Sequence, residues 1–221
     1  MLVFRFPRKL VDLIIGPFWC GVMTNLSGIK PVIDGLDNIP KDKGFLYLFL
    51  HCSNMDVPTL FYISPKSFRF GAKASLFKIP IFGYAVHLSG TLPITREDRS
   101  KVMEVYKQAE ERVAKGEAFA LAPEGGRRTT EEIPPFKSGP FIFAINAKMP
   151  VVPVVICGMD KVLNKKSILI NKDKWSRKVG IKFLPSVDMG QVPMEKMKEV
   201  KEQIRTDMVS EYESMRPLYN Q

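Results

Sequence analysis

The stretch "GFLYLFLHCSNMDVP", residues 44–58, predicts the centre of the fold. Its first half, residues 44–50, is apolar on both faces, which is typical of a strand covered on both sides of a mostly parallel sheet. The apolar run ends at His51, and Asp56 follows five residues later. In open α/β sheets, ligand sites lie beyond the carboxyl ends of the strands. The stretch therefore predicts a buried strand that carries a histidine to the ligand-binding edge of a sheet.

His51 and Asp56 allow two interpretations. Five residues of helix turn through about 500°, so Asp56 can reach the imidazole only if residues 52–55 fold back in a turn, as Ser53 and Asn54 permit. In the first interpretation, Asp56 only caps a helix that has Pro58 in its first turn, and His51 only fills space. In the second, Asp56 fixes the tautomer of His51, which then accepts a proton from a hydroxyl. Because the chain has no GxSxG motif, that hydroxyl would belong to a substrate.

The remainder of the chain alternates between short apolar runs and amphipathic stretches. We predict an α/β fold, with a mostly parallel central sheet flanked by helices, in one domain over residues 31–221. The predicted strands are 44–50, 68–72, 90–94, 117–122, 150–157 and 178–184, and the predicted helices are 98–116, 138–149 and 193–215. Pro153 is expected at a strand start or bulge, because proline lacks a ladder donor. The methionine stripe of 193–215 would face the core or, alternatively, a membrane or partner.

Residues 1–30 differ in composition from the rest of the chain. Three basic residues between positions 5 and 9 precede residues 10–29, whose only charge is Asp12. A straight helix of that length would reach about 30 Å, but the Gly16-Pro17 pair interrupts it. We expect a membrane-associating helical segment that dips into one leaflet. The alternative is an ordinary helix packed on the domain.

The amino-acid composition indicates which classes of partner the protein can bind. The chain has 33 Lys and Arg against 23 Asp and Glu, a formal net charge of +10. Such a surplus favours nucleic acid, anionic lipid headgroups or a phosphorylated substrate, although basic residues are not interleaved with aromatic ones as on nucleic-acid surfaces. Cys20, Cys52 and Cys157 are scattered without metal-binding spacing, which predicts free thiols, a reducing compartment and no metal. His87 lies in an apolar run, and we predict that it is packed in the core.

Two further strand ends carry groups suited to an anionic ligand. "GTLPITRED", residues 90–98, places Arg96 at the end of a predicted strand. "LAPEGGRRTTEEIPPFKSG", residues 121–139, follows another strand, and its Gly125 and Gly126 would let the backbone approach a ligand closely. Three cations follow these glycines: Arg127, Arg128 and Lys137. Each feature alone also fits a solvated surface charge, but parallel strands would bring both to the edge that carries His51.

Taken in order, these motifs resemble the glycerophosphate acyltransferase superfamily, and specifically bacterial 1-acylglycerol-3-phosphate acyltransferases. The N-H-x4-D motif of that family is matched by His51 and Asp56, and its second block resembles "GTLPITR", which ends at Arg96. Its F-P-E-G-T-R-S block resembles "APEGGRR", and its V-P-V core resembles "VVPVV" around Pro153. The resemblance covers residues 45–160. This sequence departs from the family pattern at four positions: Leu50 replaces Asn, Ala122 replaces Phe, Gly126 replaces Thr and Arg128 replaces Ser.

The resemblance implies an O-acyltransferase in which His51 is the base and Asp56 orients it. Arg96 and Arg127 would hold the acceptor phosphate, with Lys137 or Arg128 assisting. Glu124 would orient Arg127 or a glycerol hydroxyl rather than titrate. The backbone N–H groups of Gly125 and Gly126 would face developing negative charge.

The resemblance also implies the substrates and the location. The acceptor would be the lysophospholipid 1-acylglycerol 3-phosphate, giving phosphatidic acid. Acyl-CoA or an acyl carrier protein would be the co-substrate, with no cofactor, metal or nucleic acid involved. The protein would act on anionic lipids at the cytoplasmic face of the inner membrane. The alternatives are an acyltransferase acting on another lysophospholipid or glycerol 3-phosphate, and a non-catalytic module that binds polyanions.

Overall fold

A computed structural model describes residues 12, 14–95, 97–128, 132–167, 169–171 and 173–219. Arg96, a predicted phosphate ligand, lies outside these residues, as do residues 1–11 of the predicted membrane segment.

Eight strands within the described residues form one sheet. They are β1 (Ile29–Asp34), β2 (Leu46–Phe49), β3 (Phe68–Lys73), β4 (Leu92–Ile94), β5 (Ala118–Leu121), β6 (Pro150–Cys157), β7 (Arg177–Phe183) and β8 (Val187–Asp188). The order across the sheet is β1-β7-β6-β2-β5-β3-β4, and β8 pairs with β6. The five strands from β6 to β4 are mutually parallel, whereas β7 and β8 run antiparallel to β6. The predicted mostly parallel α/β sheet is therefore confirmed.

Helices connect these strands. A π-helical turn, Ile14–Cys20, leads into α1 (Gly21–Leu26), followed by α2 (Asp56–Ile63), α3 (Phe82–Leu88), α4 (Arg99–Ala114), α5 (Gly139–Asn146), α6 (Met159–Val162) and α7 (Met197–Tyr219). The three predicted helices correspond to α4, α5 and α7. Strand β1 begins at Ile29, so the predicted domain boundary at residues 30 and 31 falls inside a strand of the sheet.

The sheet separates two hydrophobic clusters, and the alternation of β2 side chains explains why. Leu46 and Leu48 join the cluster on one face, while Tyr47 and Phe49 join the cluster on the other. All four are buried, as expected for a strand covered on both sides. On the leucine side, α7 contributes buried side chains including Met208 and Tyr212. The prediction that its methionine stripe faces the core is confirmed.

Pro153 lies in the interior of β6, contrary to the prediction of a strand start or bulge. It is paired in register with Leu48 of β2. Its carbonyl accepts a hydrogen bond from the N–H of Leu184, 2.9 Å away, so the missing N–H of Pro153 also points away from β2. On that side β7 has ended at Phe183 and β8 begins only at Val187. The proline is tolerated because no strand partner requires its donor there.

The described part of the N-terminal segment packs on α2. A Cβ added to Gly21 would lie 2.9 Å from the ring of Tyr62, so glycine permits this close approach. Phe18, Trp19 and Leu26 nevertheless remain exposed. Among the residues that the structure describes, no helix has both the length and the hydropathy to cross a bilayer.

The prediction that His87 packs in the core is wrong. His87 is exposed in the last turn of α3. Ile81 and Phe82, at the start of the same apolar run, are also exposed.

Candidate active site

The turn after β2 brings His51 and Asp56 together. Asp56 Oδ2 lies 2.9 Å from His51 Nδ1 and accepts hydrogen bonds from the backbone N–H groups of Cys52 and Ser53, each at 2.8 Å. Asp56 is fully buried at the start of α2. The chain therefore folds back as the functional interpretation requires, and the carboxylate holds both the turn and the imidazole.

This contact determines which nitrogen of His51 is available. A carboxylate bound by two backbone donors can only accept, so Nδ1–H of His51 donates to Asp56. The neutral ring then presents Nε2 as a proton acceptor. The His51 side chain is 14% exposed and lines a cavity of about 430 Å³. His51 is thus arranged as a general base facing a ligand-sized space.

The cavity combines apolar walls with a few polar groups. It lies at the carboxyl ends of β2, β3 and β5, against the first turns of α4 and α5. Its apolar lining includes Phe70, Ile94, Val102, Met103, Tyr106 and Leu121, and its polar lining includes His51, Arg99, Lys137 and Ser138. Arg99 and Lys137 are both exposed at this edge. A cavity of this kind suits a ligand that has both an apolar chain and an anionic group.

The loop that contains Gly125 packs beside Lys137. The φ of Gly125, +81°, lies in the left-handed region, and a Cβ added there would lie 3.4 Å from Lys137 Cγ. The backbone N–H of Lys137 donates to the carbonyl of Pro123 at 2.7 Å. The N–H of Gly125 is itself engaged by the carbonyl of Ala122 at 3.0 Å, so it does not face developing charge as expected. Gly126 is not among the residues that line the cavity.

The Glu124 carboxylate lies against the backbone of His51 rather than against Arg127, which it was predicted to orient. The carboxylate oxygens lie 3.3 and 3.4 Å from the backbone N–H of His51, and one lies 3.5 Å from the Arg128 guanidinium. Burial raises the pKa of Glu124 to about 8, against the opposing effect of Arg128. The prediction that Glu124 orients a glycerol hydroxyl rather than titrates stays a prediction.

Arg128 is a buried structural cation. Its guanidinium lies over the ring of Tyr212 on α7, 4.4 Å from the centroid, and its backbone N–H donates to the carbonyl of His51 at 2.8 Å. Its side chain is only 3% exposed. It does not line the cavity, so the prediction that it assists with the acceptor phosphate is not supported by its position.

Of the other predicted cations that the structure describes, Arg127 and Lys137, only Lys137 lines the cavity. Arg127 contacts the carbonyl of Lys165 at 3.5 Å instead. Arg99 was missed by the sequence analysis, although a signal was present. A cation in the first turn of a helix opposes the helix dipole, and its presence there indicates another role.

Leu50 and Cys52, on either side of His51 in the sequence, are both buried. Leu50, which stands where the family motif has Asn, is fully buried in the leucine-side cluster. Burial raises the pKa of the Cys52 thiol well above its usual range, so this thiol is a poor nucleophile. Within the described ranges, no three His, Cys, Asp or Glu side chains are placed to hold a metal ion.

Comparison with known proteins identifies relatives of the chain. The family model described as Acyltransferase matches residues 30–157. A chloroplastic 1-acyl-sn-glycerol-3-phosphate acyltransferase of Arabidopsis thaliana is 34% identical over 74% of this chain and 46% of its own length. The 1-acyl-sn-glycerol-3-phosphate acyltransferase of Haemophilus influenzae is 31% identical over 66% of this chain and 61% of its own length. The chain thus spans about half to three fifths of the length of these relatives.

A solved structure shares the fold. The crystal structure of the 1-acyl-sn-glycerophosphate acyltransferase PlsC from Thermotoga maritima superposes with a TM-score of 0.71 at 26% identity. The match covers 92% of this chain and 81% of that one.

Proposed function

The chain belongs to the acyltransferase family, and we propose that it transfers a fatty acyl group from an acyl thioester to a lysophospholipid hydroxyl. The acceptor that we propose is 1-acylglycerol 3-phosphate, which would give phosphatidic acid. The Arabidopsis and Haemophilus relatives are 1-acyl-sn-glycerol-3-phosphate acyltransferases, which supports this choice.

One observation carries the proposal. The buried Asp56 carboxylate holds Nδ1 of His51, while the imidazole lines a cavity that has apolar walls and two cations. A lysophospholipid presents the complementary groups, which are a hydroxyl, an anionic phosphate and an acyl chain.

The proposed reaction uses His51 twice. Nε2 removes the proton from the acceptor hydroxyl as its oxygen attacks the thioester carbonyl carbon, and the resulting imidazolium is stabilised by Asp56. Collapse of the tetrahedral intermediate breaks the C–S bond, and the imidazolium returns the proton to the departing thiolate. The products are the ester and the free thiol, so His51 is restored at the end of each turnover.

We assign the acceptor phosphate to the cations that the cavity presents. Arg99 and Lys137 line the same cavity as His51, and a guanidinium with an ammonium suits a phosphate monoester. The assignment of Arg96 and Arg127 to the same phosphate rests on the family resemblance. In the structure the Arg127 guanidinium contacts the carbonyl of Lys165 instead.

We further propose that the protein works at the cytoplasmic face of a membrane that contains anionic lipid. The net charge of +10 supports this, since each Lys or Arg near an anionic surface contributes about 1 kcal/mol. Phe18, Trp19 and Leu26, exposed beside α2, supply apolar contacts for the same surface. Three free cysteines are consistent with a reducing compartment.

A panel of donors and acceptors tests the function. Thiol release would be measured from acyl-CoA and from an acylated carrier protein, each with 1-acylglycerol 3-phosphate, lysophosphatidylcholine, glycerol 3-phosphate or no acceptor. We expect release that depends on 1-acylglycerol 3-phosphate. Faster release with another acceptor would replace the acceptor in this proposal. Polyanion binding without thioester consumption would instead support a non-catalytic module.

A further inference from the structure

An apolar loop lies outside the functions assigned so far. Residues 79–84, "IPIFGY", which we name the 79–84 loop, join a 3-10 helix (Ala74–Lys78) to α3. Its exposed side chains are Ile79 at 46%, Ile81 at 89%, Phe82 at 50% and Tyr84 at 53%. These side chains are adjacent along the chain, unlike the singly scattered apolar residues that ordinary protein surfaces carry.

The loop holds its apolar tip outward in a strained conformation. Ile81 has φ of 64° and ψ of −56°, and the N–H of Phe82 donates to the carbonyl of Pro80 at 2.6 Å. A β-branched residue at positive φ is a true outlier that persists only where its surroundings enforce it. Gly83 lets the chain after Ile81 pack closely on the 3-10 helix, because a Cβ there would lie 2.2 Å from the carbonyl oxygen of Phe77.

Basic residues predominate in the sequence around the loop. Between residues 57 and 96 there is no Asp or Glu, and the exposed Lys78 directly precedes the loop. Lys73 is also exposed and lies 4.0 Å from Glu97, which follows this stretch. The loop is also close to the cavity along the chain, because Gly71 of β3 and Ile94 of β4 line the cavity and both strands pack on the 3-10 helix. An apolar tip directly preceded by an exposed lysine, in a stretch of sequence without acidic residues, is complementary to anionic lipid.

We propose that the 79–84 loop inserts into an anionic lipid surface as a contact separate from the N-terminal segment, next to the cavity that holds His51. The choice of lipid rests on the proposed function, whose acceptor resides in such a surface. Ile81 and Phe82 enter the acyl region, Tyr84 lies at headgroup level, and Lys73 and Lys78 contact the phosphates. The enzyme is thereby held with its cavity at the lipid boundary.

Fluorescence from a label on the loop tests the insertion directly. Ile81→Cys in the full chain would be labelled with nitrobenzoxadiazole, because Cys20, Cys52 and Cys157 are buried. Leu218→Cys, on the exposed side of α7, is the matched control. With vesicles of phosphatidylcholine and phosphatidylglycerol, we expect brighter, blue-shifted emission at position 81 and no change at position 218. Unchanged emission at position 81, or an equal change at both positions, would overturn the proposal.

Sedimentation with the same vesicles measures the contribution of the loop to binding. We expect I81S/F82S to lower the partition coefficient about tenfold or more, and L218S to leave it near wild type. Equal partitioning of I81S/F82S and wild type would contradict the proposal. A wild-type dimer that I81S/F82S converts to a monomer would also contradict it, by assigning the loop to a second copy of the chain.

The two proposals fail separately in these experiments. The label and the vesicles report on insertion without substrate, whereas thiol release reports on acyl transfer. Insertion without acyl transfer would count against the proposed function alone. Acyl transfer without insertion would count against the loop alone.

Discussion

At the residue scale, Asp56 shows how one side chain supports both the local fold and the proposed chemistry. Its Oδ2 atom accepts from His51 Nδ1 and from two backbone N–H groups of the intervening turn. The turn-forming residues between His51 and Asp56 permitted the pair but left the capping interpretation open, and the family resemblance implied the pair. The sequence did not predict that the same oxygen would hold the turn, since this requires the backbone path. The histidine is therefore oriented by the turn that also begins α2.

Arg99 provides a test of the acceptor site. We expect Arg99→Ala to raise KM for 1-acylglycerol 3-phosphate by about tenfold to a hundredfold with little change in kcat, because a charge-assisted contact to phosphate contributes about 1.5–3 kcal/mol. Initial rates over a range of acceptor concentrations measure this change.

Lys101 is the matched control for Arg99. It is an exposed cation on the same helix that pairs with Asp98, 3.3 Å away. We expect Lys101→Ala to keep the wild-type KM. Equal effects at the two positions would show that general surface charge, rather than a contact in the cavity, attracts the acceptor.

Glu124 gives a prediction about pH. Because the pKa of its buried carboxyl is raised to about 8, the folded state binds this proton more tightly than the unfolded chain does. That stabilisation is present below about pH 4.5 and is lost as the pH rises through about 8. We expect the unfolding free energy of wild type to fall relative to Glu124→Gln across this window, by up to about 1.4 kcal/mol per pH unit. Urea unfolding at several pH values measures it, and parallel profiles for the two proteins would refute it.

At the element scale, a segment could be predicted where its own apolar pattern determines its burial. It could not be predicted where its burial or pairing depends on neighbouring segments. Strand β6 was predicted with the observed bounds, because a continuous apolar run such as residues 150–157 is buried on both faces. Strand β1 was not predicted, since residues 29–34 contain a proline and have a largely exposed pattern typical of an edge. The position of Pro153 depended on the gap between β7 and β8, which local sequence does not reveal.

Helix α3 is exposed where burial was predicted. The apolar run around His87 predicted packing in the core, yet the helix that contains it is largely exposed. Apolar patterns report an affinity for a nonaqueous surface, and the surface need not be the protein core. Arg99 was not predicted as a site residue, because its place at the cavity depends on how β4 and α4 meet at the sheet edge.

Arg128 connects α7 to the catalytic turn, and its loss should weaken the fold. We expect Arg128→Met to lower the free energy of unfolding by about 3 kcal/mol at a pH where Glu124 is ionised, because a buried carboxylate would lose its cation. The contact with Tyr212 is lost as well. Urea unfolding measures the change.

Arg127→Met is the control for this prediction. Arg127 is partly exposed and contacts a backbone carbonyl, so we expect a loss below about 1 kcal/mol. Similar losses for the two variants would show that Arg128 is not the link between α7 and the turn.

At the scale of the whole molecule, the proposed reaction joins features that lie far apart in the sequence. The carboxyl ends of β2, β3 and β5 bring His51, the apolar cavity wall and the loop of Gly125 to one edge of the sheet. The molecule exposes apolar side chains in the N-terminal segment and in the 79–84 loop. The chain as a whole has a net charge of +10. An amphiphilic acceptor and a soluble thioester would meet where such a molecule rests on lipid.

The variant His51→Ala tests directly whether His51 is the general base of the reaction. Thiol release from the preferred acyl thioester would be measured with 1-acylglycerol 3-phosphate for the variant and for wild type, after urea unfolding has shown equal stability. The account predicts that the rate falls by about 10² to 10⁴-fold, the contribution of a positioned general base. A folded His51→Ala protein that releases thiol at the wild-type rate would contradict the assignment of His51 as the base.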